Sequence, residues 1–139
     1  MVELFFAVLY RYELKYSRTS VIPNQKAEFE FSQSPLIFKR EIASCRTFLT
    51  YEEALYLREQ GICARVGTGD VLVFGQDGKP IDNQLRFPNE CARHKILDMI
   101  GDFSLMPFDL VGEISATKTG HQQNANVVRY ILDSLDLRF

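Results

Sequence analysis

A chain of 139 residues, 46% hydrophobic and 24% charged, has room for one domain and buries roughly two thirds of the surface its unfolded form exposes. That composition excludes collagen, a coiled coil and intrinsic disorder. Lys and Arg number 16 against 18 Asp and Glu, the net charge is −2 and there is no long basic run, which argues against an electrostatic nucleic-acid binder.

The opening stretch, Met1 to Tyr10, is apolar but contains Glu3, lacks a basic n-region and runs into alternating charge. It is read as neither a signal peptide nor a membrane span, and no later stretch is long enough for a transmembrane segment. Tyr10, Tyr12, Leu14 and Tyr16 alternate with Arg11, Glu13 and Lys15, the period-two pattern of a half-buried strand. Phe29 and Phe31 alternate with Glu28 and Glu30 in the same way. Val21-Ile22-Pro23-Asn24-Gln25 between them is a turn, so the two strands are expected to be antiparallel neighbours. The first third of the chain thus reads as sheet.

Thr50-Tyr51-Glu52-Glu53 has the form of a capping box, and Gly61 is placed to end the helix after Gln60. Val71–Phe74 reads as a strand, followed by a turn through Gln76-Asp77-Gly78-Lys79. A helix is expected over about Asn89–Ile100, with Asn89 as N-cap and Gly101 just past its end. A strand at Leu110–Ala116 and a last amphipathic helix over about Gln122–Ser134, marked by Val127, Val128, Ile131, Leu132 and Leu135, complete the order. Early strands with helices later indicate an α+β two-layer sandwich, a mainly antiparallel sheet against two main helices with a small strand-helix-strand insert.

Cys45, Cys63 and Cys91 form an odd set without a C-x-x-C pair, which points to reduced thiols in the cytosol rather than a disulfide scaffold or a cysteine zinc finger. On the helix near residue 95, Ala92, Ile96, Met99 and Ile100 share the core face, while His94 and Asp98, spaced i and i+4, share the opposite one. Such a pair is either two ligands of one metal ion or a surface ion pair. His121, after Thr119-Gly120 and ahead of a helix, is a third ligand, an acid/base group or a polar loop residue. Cys91 is a further ligand candidate or a small space-filling thiol. Asp102, past the expected helix end where the dipole disfavours a carboxylate, is the partner of a cation or a solvated loop residue.

Three blocks carry a resemblance to a known family: Ile42-Ala43-Ser44-Cys45-Arg46-Thr47-Phe48; Leu85-Arg86-Phe87 with Arg93-His94-Lys95-Ile96-Leu97-Asp98-Met99-Ile100-Gly101-Asp102; and Lys118-Thr119-Gly120-His121 with Asn124. Over nearly its whole length the chain resembles the second, C-terminal domain of UDP-3-O-acyl-N-acetylglucosamine deacetylase, the zinc enzyme of lipid A synthesis. The resemblance implies that His94 and Asp98 are zinc ligands and that His121 is a general acid, or electrostatic partner of the tetrahedral intermediate, oriented by Asp102. It implies further that Thr47 helps to hold the oxyanion, that Phe48 lies beside the sugar and that Lys95 binds substrate.

In that family the first domain supplies the third zinc ligand, a histidine, and a glutamate that serves as general base. This chain has two histidines, His94 and His121, so the resemblance implies one half of a cytoplasmic enzyme whose N-terminal domain comes in cis or in trans. Without that half it is expected to be inactive and to bind zinc weakly, and the face left uncovered is open to self-association. The insert, about Thr50–Phe74, corresponds to the part that clasps the acyl chain, with Thr50, Ala54 and Thr68 where larger apolar residues are usual and Val73 in keeping. The competing expectation is a non-catalytic relative that binds a sugar nucleotide or acyl group.

Overall fold

The computed structural model describes residues 7–31, 34–62 and 64–137. The reading of Met1 to Phe6 and that of Cys63 lie outside the described residues. Val8–Leu14 (β1) and Gln25–Phe31 (β2) pair antiparallel, with Tyr10 opposite Phe29 and Tyr12 opposite Ala27. The register puts Val8, Tyr10, Tyr12, Leu14, Ala27 and Phe29 on one buried face, as period-two alternation requires. On the other face Arg11 pairs with Glu28 at 3.0 Å and with Glu113, and Lys26 pairs with Glu13 at 3.0 Å. That face meets water.

Pro35–Glu41 (α1) is a short helix that the sequence reading took as part of the sheet region. Seven residues are too few for a helical period to register. Ser34 and Pro35 are nevertheless a start signal, since proline at the first helical position gives up no bonded amide. Phe38 packs edge-on against Phe29 and Phe31, at 6.4 and 5.9 Å between ring centroids.

Phe48–Thr50 (β3), Tyr51–Glu59 (α2) and Leu72–Phe74 (β4) form the expected strand-helix-strand insert, with β3 and β4 parallel. The capping box is present: Glu53 N–H donates to Thr50 Oγ1 at 3.2 Å and Thr50 N–H to Glu53 Oε2 at 2.8 Å. At the other end Gly61 takes φ +69°, its N–H bonds to the Arg58 carbonyl, and Ile62 N–H bonds to the Leu57 carbonyl, a Schellman ending. Thr50→Ala is expected to cost about 1 kcal/mol in urea unfolding, and Thr50→Ser to restore most of it.

Glu90–Phe103 (α3) outruns its expected end at Ile100. Gly101 stays helical because Phe103, buried, prolongs the core stripe of Ala92, Ile96 and Met99; tertiary packing overrides the glycine's preference. Asp102 is therefore in the last turn of the helix rather than beyond it. Gly112–Thr117 (β5) runs parallel to β1, from Gly112 opposite Val8 to Thr117 opposite Glu13, giving a mixed sheet in the order β2-β1-β5. His121–Ser134 (α4) packs on α3, burying Asn124 and Val128. The fold is thus the α+β class expected, with the helices α3 and α4 as its main pair, and the core lies between the sheet and α3.

Candidate functional site

The ends of β1 and β3, the middle of α3 and the turn ahead of α4 converge. Tyr12, Tyr16, Thr47, Phe48, His94, Lys95, Lys118 and Thr119 line a polar cleft of about 230 Å³. His94 and Asp98 are mostly sheltered, with side chains 17% and 11% exposed, so they are not a solvated surface pair. His94 Nδ1 lies 3.1 Å from the Cys45 carbonyl, and its Nε2 lies 3.3 Å from Asp98 Oδ1. A carbonyl only accepts, so Nδ1 carries the hydrogen. In the neutral ring, Nε2 and Asp98 Oδ1 are then two acceptors turned toward each other. Only a shared cation or a second ring proton reconciles them. Lys95 Nζ donates to the other oxygen of Asp98 at 2.6 Å, which leaves Oδ1 on the histidine side. Phe48 stands edge-on to the His94 ring, 6.3 Å between centroids.

His121 opens α4 and is 70% exposed. Its Nδ1 sits 2.8 and 3.0 Å from the two Asp102 oxygens, so it too carries its hydrogen on Nδ1, and its Nε2 is 3.8 Å from Asp98 Oδ1. Asn124, one turn further on, donates to Asp102 Oδ2 at 2.8 Å. The carboxylate at the end of α3 is thus held to the start of α4, and both imidazoles turn Nε2 toward Asp98. Asp102 thus has the His121 imidazole and the Asn124 amide as partners.

Cys91 does not join this group. It is fully buried, and burial pushes its thiol up to about 12, the setting of an inert space-filler. Burial likewise pushes Cys45 up to about 11. Among the described residues no group of three or more His, Cys, Asp and Glu is arranged to hold a metal ion. His94 Nε2 and Asp98 Oδ1 are two donors of the types zinc takes, and the outward Nδ1–H bond is the usual support of such a ligand. As far as they go, these residues fit.

Sequence reasoning missed Tyr12, whose buried hydroxyl donates to the Thr119 carbonyl at 2.6 Å and ties down the turn carrying His121. It also left Lys118 without a place; this residue takes φ +53° at that turn and lines the cleft. Asn124 was the one legible helper, three residues past His121 on the same helix face. Next to the polar cleft, across Thr47, an apolar cleft of about 410 Å³ opens between α2 and β4, lined by Leu49, Ala54, Leu55, Thr68, Val71 and Val73 among others. Thr50 is not among its walls; its side chain caps α2.

The polar cleft with His94 on its wall thus lies beside an apolar one, and the two share Thr47. The sequence model of one family, LpxC or UDP-3-O-acyl N-acetylglycosamine deacetylase, matches residues 6–133, and the chain belongs to that family. It is 39% identical over 124 residues to the UDP-3-O-acyl-N-acetylglucosamine deacetylase of Chlamydia trachomatis serovar L2, covering 89% of this chain and 43% of the relative. The protein of the same name from Chlamydia abortus is 40% identical over 124 residues, and that from Chlamydia pneumoniae 38% over 126; each is covered to 44%. The chain spans less than half the length of these relatives.

Proposed function

We propose that this chain is the C-terminal half of a zinc-dependent deacetylase that removes the N-acetyl group of UDP-3-O-acyl-N-acetylglucosamine in lipid A synthesis. The observation that carries the reading is the facing pair His94 Nε2 and Asp98 Oδ1 beside the His121–Asp102 couple. His94 and Asp98 would hold the zinc, together with a histidine of the other half in cis or in trans. The metal, when bound, polarises the amide carbonyl and water. His121, its Nδ1–H fixed on Asp102, has Nε2, 3.8 Å from Asp98 Oδ1, to carry the proton that the departing amine needs. Thr47, Phe48 and Lys95 line the same polar cleft; on this reading the Thr47 hydroxyl helps to hold the oxyanion, Phe48 lies beside the sugar and Lys95 binds substrate. The apolar cleft takes the acyl chain. The half that carries the glutamate base is the implied partner, and cytoplasmic residence belongs to the same proposal. Among the described residues no helix is long and apolar enough to cross a membrane.

Zinc titration calorimetry tests the ligand pair directly. Two protein donors leave a metal mostly water-bound, against three in catalytic sites. The 139 residues alone should therefore bind zinc weakly, with most of that affinity lost in His94→Ala or Asp98→Ala. Zinc retained stoichiometrically through chelator dialysis would contradict the reading.

A further inference from the structure

Two arginines of the family-like blocks, Arg46 and Arg86, have no task in the chemistry above, and neither has the carboxylate of Glu90. Glu90 stands in the first turn of α3, four residues ahead of His94, and is 0% exposed. A carboxylate stripped of water needs donors on its lone pairs. Oε1 accepts from the Arg46 amide at 3.1 Å and Arg46 Nε at 2.9 Å; Oε2 accepts from Arg46 Nη2 at 3.1 Å and the Arg86 amide at 2.6 Å. The guanidinium meets it as a two-point fork. Two of its three remaining hydrogens go to Asn83 Oδ1 at 2.8 Å and the Gln84 carbonyl at 2.7 Å. Arg86 in turn donates to the Ser44 carbonyl. Burial alone would raise the Glu90 carboxyl, but the bonds from Arg46 and from the two amides outweigh it and hold it below the usual carboxylate range.

The segment so tied is the one the site depends on. Ser44 is held by Arg86 and Arg46 by Glu90, and between them stands Cys45, whose carbonyl receives His94 Nδ1. Thr47 and Phe48 follow directly. Where the Cys45 carbonyl stands decides which ring nitrogen of His94 keeps the hydrogen, and hence which one faces Asp98.

We propose that Arg46 and Glu90 are positioning residues: their buried clamp locks Ser44–Phe48 against the first turn of α3 and, through the Cys45 carbonyl, fixes His94 as the Nδ1–H tautomer with Nε2 toward Asp98. The proposal rests on the reading of His94 as a working group of the cleft, yet its first test is independent of any activity. Arg46→Lys keeps the charge without the planar fork, and Glu90→Gln keeps the shape without the charge.

The ring-nitrogen shifts of His94 are read by proton–nitrogen correlation on the metal-free chain at about pH 8, above the ordinary histidine range; His121→Gln assigns the signals, since the chain has two histidines. The wild type should show Nδ1 protonated throughout, because the Cys45 carbonyl only accepts, whichever state Nε2 takes beside Asp98. Both variants should show a mixture while their amide spectra remain those of a folded chain. In the whole enzyme, with the other half present, each should lower kcat by about 10–100-fold with KM little changed, the usual effect of removing support behind a ligand. The double variant Arg46→Met with Glu90→Met replaces the pair by apolar groups and so leaves no lone buried charge; folded, it should keep the low kcat, which a purely structural clamp would not. Should Arg46→Lys fail to fold, Glu90→Gln and the double variant decide the matter alone. A folded variant with an unchanged His94 tautomer, or with wild-type kcat, overturns the proposal. A whole wild-type enzyme that deacetylates nothing refutes the functional reading instead, and the tautomer result still stands for or against the clamp.

Discussion

No measurable hydrolysis of UDP-3-O-acyl-N-acetylglucosamine is expected from the 139 residues on their own, and turnover is expected when they are joined to a first domain that brings a glutamate–histidine pair. Amide hydrolysis needs a base to take a proton from water and an acid to give one to the leaving amine. On the proposed reading His121, carried on Asp102 at 2.8 Å, answers for the acid. The carboxylates beside it are already engaged: Asp98 with Lys95 and His94, Asp102 with His121 and Asn124. On the same reading the base is left to the proposed partner half. Losing a general base costs about 10²–10⁴ in rate, and an incomplete metal shell adds to it. In the joined enzyme, His121→Ala should lower kcat by about 10²–10⁴ with KM little changed, because the proton it delivers matters only in the transition state. Asp102→Asn should fall in the same direction, since an amide can present N–H to Nδ1 and reverse the tautomer. Product formation is followed as free amine released per enzyme. Turnover by the purified 139 residues would show the half-enzyme reading to be wrong; tight substrate binding by the joined protein without turnover would favour a binding relative.

The parts of the fold legible in the sequence are those held by contacts along the chain. Alternation from Tyr10 to Leu14 and at Phe29 marks both long strands, and the Thr50–Glu53 box and Gly61 mark both ends of α2, because each signal lies within one turn or one pleat of its cause. The continuation of α3 past Gly101 is hidden, since it depends on Phe103 joining the core between the sheet and α3. The parallel pairing of β5 with β1 was hidden too, because it joins segments about a hundred residues apart.

The site divides the same way. His94 and Asp98 are visible as an i, i+4 pair. Tyr12 and the Thr119 carbonyl are separated by 107 residues, and Glu90 and Arg46 by 44, so no local pattern connects them. The family resemblance supplied His121, Asp102 and Thr47 as a set. Local periodicity alone leaves each of them with a bland alternative.

Arg46→Ala is expected to cost about 3–5 kcal/mol, the range for stripping one partner from a buried ion pair, against a total of about 5–15 kcal/mol for an ordinary domain. Glu90 would be left inside without water, keeping the Arg86 amide and the Arg46 backbone amide but no cation. The same pair makes stability depend on acid. Burial pushes the Glu90 carboxyl up, the Arg46 fork and the two amides push it down, and the net folded value lies below the ordinary one. A depressed folded pKa means that the unfolded chain binds the proton first as pH falls. The clamp's contribution is therefore complete above the ordinary glutamate value of about 4.3 and is lost as pH drops through the depressed folded value. Glu13, Glu41 and Glu113 are likewise held low by surface partners, so acid lability must be judged by difference. Urea midpoints of the wild type and of the Arg46→Met, Glu90→Met double variant, measured from pH 7 to pH 3, share those surface terms. The wild type should lose more stability than the double variant between about pH 4 and pH 3, while at pH 7 the double variant should lie lower, because the Arg46 and Arg86 amides lose their acceptor. Parallel curves would place the acid lability wholly in the surface pairs and assign none of it to the buried one.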